Sequence, residues 1–250
     1  MKEANISLVA FYGDKPTELI NLIARLQTHL ANHSLLSNKF IPYQLEQVHG
    51  TIIGCEGYKT DSDIVSRWFK ERRQEKKYIN IPDLLDYLQQ IDLPITIRFG
   101  GYQRQTNYNF LSRGQYLSDR SFQLQVIEGN TIPVLIGWSW QNNSVTLSID
   151  NLRRSFQQFG LLHKYHIHPN SIDNDFYLRL GTINTQLSTE EINIIATSVR
   201  DLLAISVLIP IKTNNLAFAQ YQDLQLTPAT TKIIPVNSIT ANQLEQLYSF

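Results

Sequence analysis

The stretch "QVHGTIIGCEG", residues 47–57, has the apolar, β-branched content of a buried strand, broken by one ionisable ring, His49. A second stretch, "YLRLGTINT" (177–185), repeats its Gly-Thr-Ile core with Leu180 where His49 stood. The two copies lie 131 positions apart, about half of the 250-residue chain. Such an offset points to two related lobes, not to a short-period solenoid.

The order of elements around the two copies is similar. Before the first, "NISLVAFYG" (5–13) reads as a strand and "KPTELINLIARLQTHLANH" (15–33) has the apolar spacing of a helix. The motif strand is expected over 43–54, followed by helices over 61–77 and 81–91, the second with Pro82 in its first turn. "PITIRFGGY" (94–102) and the segments up to Trp140 read as β. The second half offers a helix within 144–166, a strand over 175–184, and a helix over 188–205 opened by a Ser188/Glu191 capping box. A strand over 216–227 and a short closing helix complete it. The expected fold is α+β: one bilobal domain of mainly antiparallel sheet with outer helices around a central cleft. Lobe one would run over roughly 1–140 with His49-Gly50-Thr51, and lobe two over roughly 141–250 with Leu180-Gly181-Thr182.

Composition narrows the function. Lys+Arg and Asp+Glu are both 22, so a strongly basic nucleic-acid coat is excluded while a local basic cleft is not. A single cysteine, Cys55, excludes an internal disulfide and a multi-cysteine metal site, and fits a reducing cytoplasm. The N-terminus lacks the pattern of a signal peptide, and no apolar run reaches the roughly 18 residues needed to span a bilayer. A cytoplasmic protein with no membrane association is expected. There is no phosphate-binding loop with a downstream Lys and no Gly-x-Ser-x-Gly elbow, and no cofactor is called for.

Alternate side chains of a strand share a face, so His49 and Thr51 should point the same way. An imidazole transfers protons near neutral pH, and a threonine hydroxyl donates to a phosphoryl oxygen. Two such pairs across a cleft would supply an acid, a base and two phosphate clamps, enough to open a cyclic phosphate ester without metal.

"HGTII" (49–53) resembles the His-x-Thr-hydrophobic motif of the two-histidine (2H) phosphoesterase superfamily, which includes RNA 2′,3′-cyclic phosphodiesterases of the 2′-5′ RNA ligase-like type. "ITIRFGGY" (95–102) and "LAFAQYQDLQL" (216–226) are similar to strands that follow the two motifs in that family. The resemblance implies His49, Thr51 and Thr182 as catalytic residues acting on an RNA end or a cyclic or 2′-phosphorylated nucleotide. The chain departs from it at motif two, where Leu180 replaces the second histidine. Loss of one proton carrier forfeits roughly 10²- to 10⁴-fold in rate. With Leu178, Leu180 and Thr182 on the cleft face and Arg179 on the other, the site would be degenerate: able to bind and impaired in the usual chemistry. A one-residue change of register would instead bring Arg179 into the cleft.

Other residues admit two readings each. His163, His166 and His168 could supply a replacement acid, with His166 and His168 as ligand contacts, or form a solvated loop; no third ligand at diagnostic spacing supports a metal site. Arg113 and Arg120, near Tyr108 and Tyr116, could bind phosphate and stack a base, or form an ordinary hairpin surface. The cationic run "RWFKERRQEKK" (67–77) reads foremost as a solvated helix face. His49 itself is either a cleft residue or a satisfied core histidine. Against the phosphoesterase reading stands a non-catalytic structural or protein-interaction domain that keeps the fold. A His49 that lines an open cleft opposite Thr182, with arginines at its rim, favours the first; one buried and bonded to backbone favours the second.

Overall fold

Strand Ile6–Ala10 is buried on both faces. Ile6, Leu8 and Ala10 enter the main core, while Val9 joins a smaller cluster on the other side. It is the centre of a four-stranded antiparallel sheet in the order Thr231–Pro235, Leu216–Tyr221, Ile6–Ala10, Gly50–Gly54. The computed structural model describes residues 3–127 and 129–249.

A second antiparallel sheet is organised by the long strand Asn130–Gln141. One side pairs with Phe122–Ile127 and then Ile95–Phe99; the other pairs with Asp175–Arg179 and, through Ile183, with Gly181–Ile183. Val207–Ile211 and Phe40–Pro42 form its outer strands. A small third sheet joins Glu3–Ala4, Gly57–Lys59 and Ile64–Ser66. Helices Thr17–Asn32, Ile81–Gln90 and Thr189–Leu202 bury apolar stripes, including Leu19, Ile23, Leu26, Leu84, Leu88, Ile195 and Val199, in one continuous core with both large sheets. The fold is α+β.

The expected division near residue 140 does not separate the sheets. The first takes strands from 6–54 and 216–235, and the second from 40–42, 95–141 and 175–211. The physical reason is the pairing of Ile6–Ala10 with Leu216–Tyr221, which returns the end of the chain to its beginning.

Several elements are shorter than their apolar patterns. The helix expected over 61–77 is Arg67–Arg73, because the β-branched Ile64 and Val65 pair with Gly57–Lys59 first. The segment 144–166 yields helix Ser148–Ser155 and a 3₁₀ turn ended by Gly160 at φ +76°. "YNFLSRGQ" is not a strand but a loop with a tight turn at Arg113-Gly114, bridged by Ser112 and Gln115. The Ser188/Glu191 capping box forms as expected. Among the described residues, no helix is long and apolar enough to cross a membrane.

Candidate functional site: a cationic cleft between the sheets

The strand after His49 runs against Asp175–Arg179 with almost no gap. The ring of Phe176 lies on Gly50, so close that a Cβ at residue 50 would sit 2.1 Å from its Cζ. Beside this contact the two sheets diverge around a cavity of about 550 Å³. His49, Thr51, Ser7 and Tyr221 line it from the first sheet; Tyr177, Arg179, Val134 and Gln125 line it from the second. Its ionic lining contains Arg67, Arg113, Arg153, Lys164 and Arg179 against Glu56 and Asp173. Five cations against two acids make this cleft positive in a chain of zero formal charge.

His49 immediately precedes strand Gly50–Gly54 and does not lie within it. It nevertheless lines the same cleft as Thr51. Its Nδ1 lies 2.7 Å from the Gln47 carbonyl oxygen. A carbonyl only accepts, so Nδ1 carries the proton and Nε2 presents the lone pair. Nε2 has no partner among the described residues. Burial, together with Arg179 and Lys15 nearby, outweighs the Gln47 bond and pushes the His49 pKa down to about 4. The ring keeps a partly exposed edge and is a neutral imidazole at physiological pH. Both discriminating features are therefore met in part: the ring is tied to backbone through one nitrogen and lines an arginine-bearing cleft, but Thr182 does not stand opposite it.

The opposite wall corrects the sequence reading. Phe176, Leu178 and Leu180 are buried in the core, and Tyr177 and Arg179 line the cleft. Thr182 shares the face of Leu180, as expected, but that face is the core face. Its hydroxyl donates to Tyr43 at 3.4 Å and does not line the cleft. The reason is ordinary strand alternation: Asp175, Tyr177 and Arg179 are polar, and the residues between them are apolar. Arg179 also donates to the Leu224 carbonyl at 2.9 Å, which fixes its guanidinium beside the cavity.

Beneath this wall lies a buried ionic scaffold that sequence reasoning missed. The Asp175 carboxylate accepts from Ser112 Oγ and Trp138 Nε1, both at 2.6 Å, and from Arg120 at 2.8 Å. Tyr177 accepts from Arg120 at 2.6 Å and donates to Asp175 at 3.0 Å. Arg120 is thus a buried support for Tyr177 and is absent from the cleft lining. Arg153 donates to the carbonyls of Ile52, Thr51 and Asp173, which joins the two walls. No local pattern marks these residues, because their partners lie up to 102 positions away.

The three candidate histidines separate. His163 lines the cleft and bonds Asp173 through Nε2 at 2.7 Å. Burial and Arg153 push its pKa down to about 3, against the pull of Asp173. For Asp173, burial acts upward, but the His163 bond and the Arg153 charge hold the carboxyl well below its usual range. His166 is fully buried behind the wall, with Nε2 2.8 Å from Asp150. His168 is exposed and outside the cleft lining. Neither is placed as a cleft contact.

Tyr108 also stands away from the cleft, packed edge-on against Tyr102 and Trp140. Arg113, by contrast, reaches over it from the positive-φ position of its turn, at +49°. Its guanidinium stacks 4.6 Å from the Tyr165 ring and lies 3.5 Å from Asp175. Cations of helix Arg67–Arg73 lie over aromatic rings, including Arg67 over Trp68 at 4.5 Å and Lys70 over Tyr58 at 4.9 Å. Cys55 is buried, and its thiol pKa is pushed far up by burial and Glu56. Among the described residues no group of three or more His, Cys, Asp or Glu side chains is arranged to hold a metal.

No family model matches the chain, and no curated protein matches it. Among solved structures it is similar to the crystal structure of TT0787 of Thermus thermophilus, at 12% identity. That similarity covers 92% of this chain and 93% of that one, with a TM-score of 0.43.

Proposed function

We propose that the cleft binds a phosphorylated nucleotide or RNA end, cyclic or 2′-phosphorylated, and turns it over weakly in the manner of a 2H phosphoesterase with half its proton machinery. The observation that carries this reading is the concentration of five cations in the cavity that also receives His49 and Thr51. Arginine side chains clamp phosphate oxygens through fixed, forked donors, a role this reading gives to Arg113 and Arg179. The Thr51 hydroxyl adds a neutral donor. His49 Nε2 accepts the proton of an attacking water as the new P–O bond forms. The P–O bond to the sugar oxygen breaks, and that oxygen takes its proton from solvent, because Tyr177 and Arg179 occupy the wall where a second imidazole would stand.

The experiment is hydrolysis and binding of a nucleoside 2′,3′-cyclic phosphate and a short RNA with a cyclic phosphate end. Wild type is compared with His49→Ala and Arg179→Gln. Both ligands should bind wild type and bind Arg179→Gln more weakly. Turnover should fall at least ~100-fold in His49→Ala, the size of a general-base contribution. Binding without turnover would leave a binding-only descendant. No binding of either ligand by folded wild type would refute the proposal and leave the structural or protein-interaction role.

A further inference from the structure

Three successive backbone carbonyls of one loop hold three side chains around the cleft. The Leu224 carbonyl accepts from Arg179 Nη1 at 2.9 Å, the Gln225 carbonyl from Gln47 Nε2 at 2.8 Å, and the Leu226 carbonyl from the Tyr12 hydroxyl at 2.9 Å. Two of these anchors lead to His49. Gln47 is buried, its Oε1 accepts from the Gln44 amide at 3.3 Å, and its own carbonyl oxygen is the partner of His49 Nδ1. The Tyr12 ring packs 5.8 Å from the imidazole. The third anchor holds Arg179, which ends a strand of the other large sheet. One loop therefore grips both walls.

The loop follows strand Leu216–Tyr221 and is not a relaxed turn. Leu226 stands at φ +53°, a left-handed conformation disfavoured for a residue with a Cβ, and its side chain is buried in the small cluster with Val9 and Ala219. The Asp223 carboxylate ties this conformation down. It accepts from the Gln225 and Thr227 backbone amides at 2.9 and 3.3 Å, and from the Thr227 and Thr230 hydroxyls at 3.2 and 2.8 Å. Such side-chain-to-backbone bonds fix a turn locally. Burial acts upward on the Asp223 carboxyl, but the bonds from Thr230, Thr227 and Gln225 outweigh it and lower the pKa, so the group is an ionised acceptor at neutral pH.

We infer that Asp223 is a positioning residue: through one ordered loop it fixes the tautomer of His49 and the guanidinium of Arg179 together. Which imidazole nitrogen carries the proton is set by the bond the other makes. A shift of Gln47 would free the His49 proton to move to Nε2, which could then no longer accept one. The same disorder of the loop would release Arg179. The consequence for turnover rests on the phosphate reading of the cleft; the coupling of the two side chains does not.

The test is nitrogen NMR of the full chain at neutral pH, without ligand, in wild type, Asp223→Ala, Asp223→Asn and Gln47→Leu. Wild type should show His49 as the Nδ1–H tautomer, and the two Nη nitrogens of Arg179 as separate signals, because the Leu224 bond hinders rotation of the guanidinium. Asp223→Ala should shift His49 toward the Nε2–H tautomer and merge the Arg179 signals. Asp223→Asn keeps an acceptor oxygen for the loop amides and should lie between. Gln47→Leu should move His49 and leave Arg179 as in wild type. Residues 222–225 are exposed or half-buried, so folding is expected to survive. Should Asp223→Ala not fold, Thr230→Val removes one exposed donor to the same carboxylate and should move both signals in the same direction. A folded variant in which either the His49 or the Arg179 signal stays as in wild type would overturn the inference. Hydrolysis of a nucleoside 2′,3′-cyclic phosphate then reads the consequence. Asp223→Ala should lose at least ~10-fold in kcat, since misplacing a reacting group by about 1 Å costs on the order of 10²-fold, and should also raise KM. Gln47→Leu should lower kcat alone. Unchanged kcat and KM in an Asp223→Ala protein whose signals have moved would overturn the role in turnover. Coupled NMR changes in a protein whose wild type neither binds nor hydrolyses this ester would reject the phosphate reading and leave the positioning role standing.

Discussion

Substituting Gly50 tests the closest contact in the fold, and the sign of the result is decisive. Gly50 has no positive φ, so its backbone suits alanine. With free space around it, Gly50→Ala would stabilise the protein by about 0.4–1 kcal/mol through the unfolded chain. The space is not free. A Cβ at this position would meet three ring atoms of Phe176 at 2.1, 2.5 and 2.6 Å. Carbon atoms pack at roughly 3.5–4.0 Å, so the ring would have to retreat by more than ~1 Å. Phe176 is fully buried, with Phe11 and Phe99 each 6.2 Å away, and has little room to move. Overpacking of this kind costs about 1–3 kcal/mol, and this contact belongs at the upper end. After the unfolded-state gain, a net loss of about 2 kcal/mol is expected, a Tm decrease of roughly 4–8 °C for a chain of this size. Thermal and urea denaturation followed by circular dichroism would measure it. In a Phe176→Leu background the penalty should shrink by at least ~1 kcal/mol, a coupling measurable by a double-mutant cycle. A Gly50→Ala protein as stable as wild type, or more so, would refute the claimed contact and the close approach of the cleft walls that depends on it.

Two further perturbations address the scaffold. Arg120→Met removes the cation that Asp175 and Tyr177 share, and leaves a carboxylate 2% exposed with the half-exposed Arg113, 3.5 Å away, as its remaining cation. Breaking a buried pair costs about 3–5 kcal/mol, and with Arg113 still present a loss near the lower end is expected in urea denaturation; a loss below ~1 kcal/mol would show that Arg113, Ser112 and Trp138 together suffice for Asp175. Stability should also fall in acid. His49 and His163 have folded pKa values of about 4 and about 3, below an unfolded value near ~6.5, so the unfolded chain binds more protons as the pH drops. Their destabilisation starts below ~6.5 and is complete only beneath the folded values. His49→Gln should flatten the decline between about pH 6.5 and 4 in urea titrations. An unchanged decline would mean that His49 is not held neutral by its surroundings.

Much of the fold was legible because its signals are local. The capping box at Ser188, the apolar spacing of 15–33 and the strand pattern of 5–13 each depend on a few neighbouring residues. The pairing of Ile6–Ala10 with Leu216–Tyr221 was not legible, since nothing near either strand specifies a partner more than 200 residues away. At the site, His49 and Thr51 were legible as a pair, and Arg113 as a cation near aromatics. The opposing wall was misread because identity of Gly-Thr-Ile was given more weight than alternation. "DFYLRL" (175–180) already states which side is polar: Asp175, Tyr177 and Arg179 on one, Phe176, Leu178 and Leu180 on the other, although Asp175 itself is buried beneath the cleft wall. Arg120 was read as a ligand contact where it is a buried support, and Arg153, Asp173 and Asp175 were not singled out, for their roles exist only where distant segments meet.

The same alternation explains why the repeated Gly-Thr-Ile is poor evidence for a repeated site. Each glycine has a packing reason of its own. Gly50 admits the ring of Phe176, whereas a Cβ at Gly181 would meet the Ile41 carbonyl oxygen at 2.4 Å and the Phe40 ring. Thr51 lines the cleft, while Thr182 bonds Tyr43 in the interior. Similar letters thus answer two different steric demands. The cationic lining is explained only in part by partners within the fold, such as Glu71, which pairs with Arg67 at 2.9 Å. Gathering Arg67, Arg113, Arg153, Lys164 and Arg179 around one cavity opposes like charges and does not by itself stabilise the fold. Arg153 is accounted for by the carbonyls it bridges, and Arg113 in part by Asp173 and Asp175. Among the described residues Lys164 has no acidic partner within salt-bridge distance, and Arg179 spends one bond on a backbone carbonyl. A bound anion would relieve this mutual repulsion, and the lysine and arginine facing the cavity are the groups it would meet first.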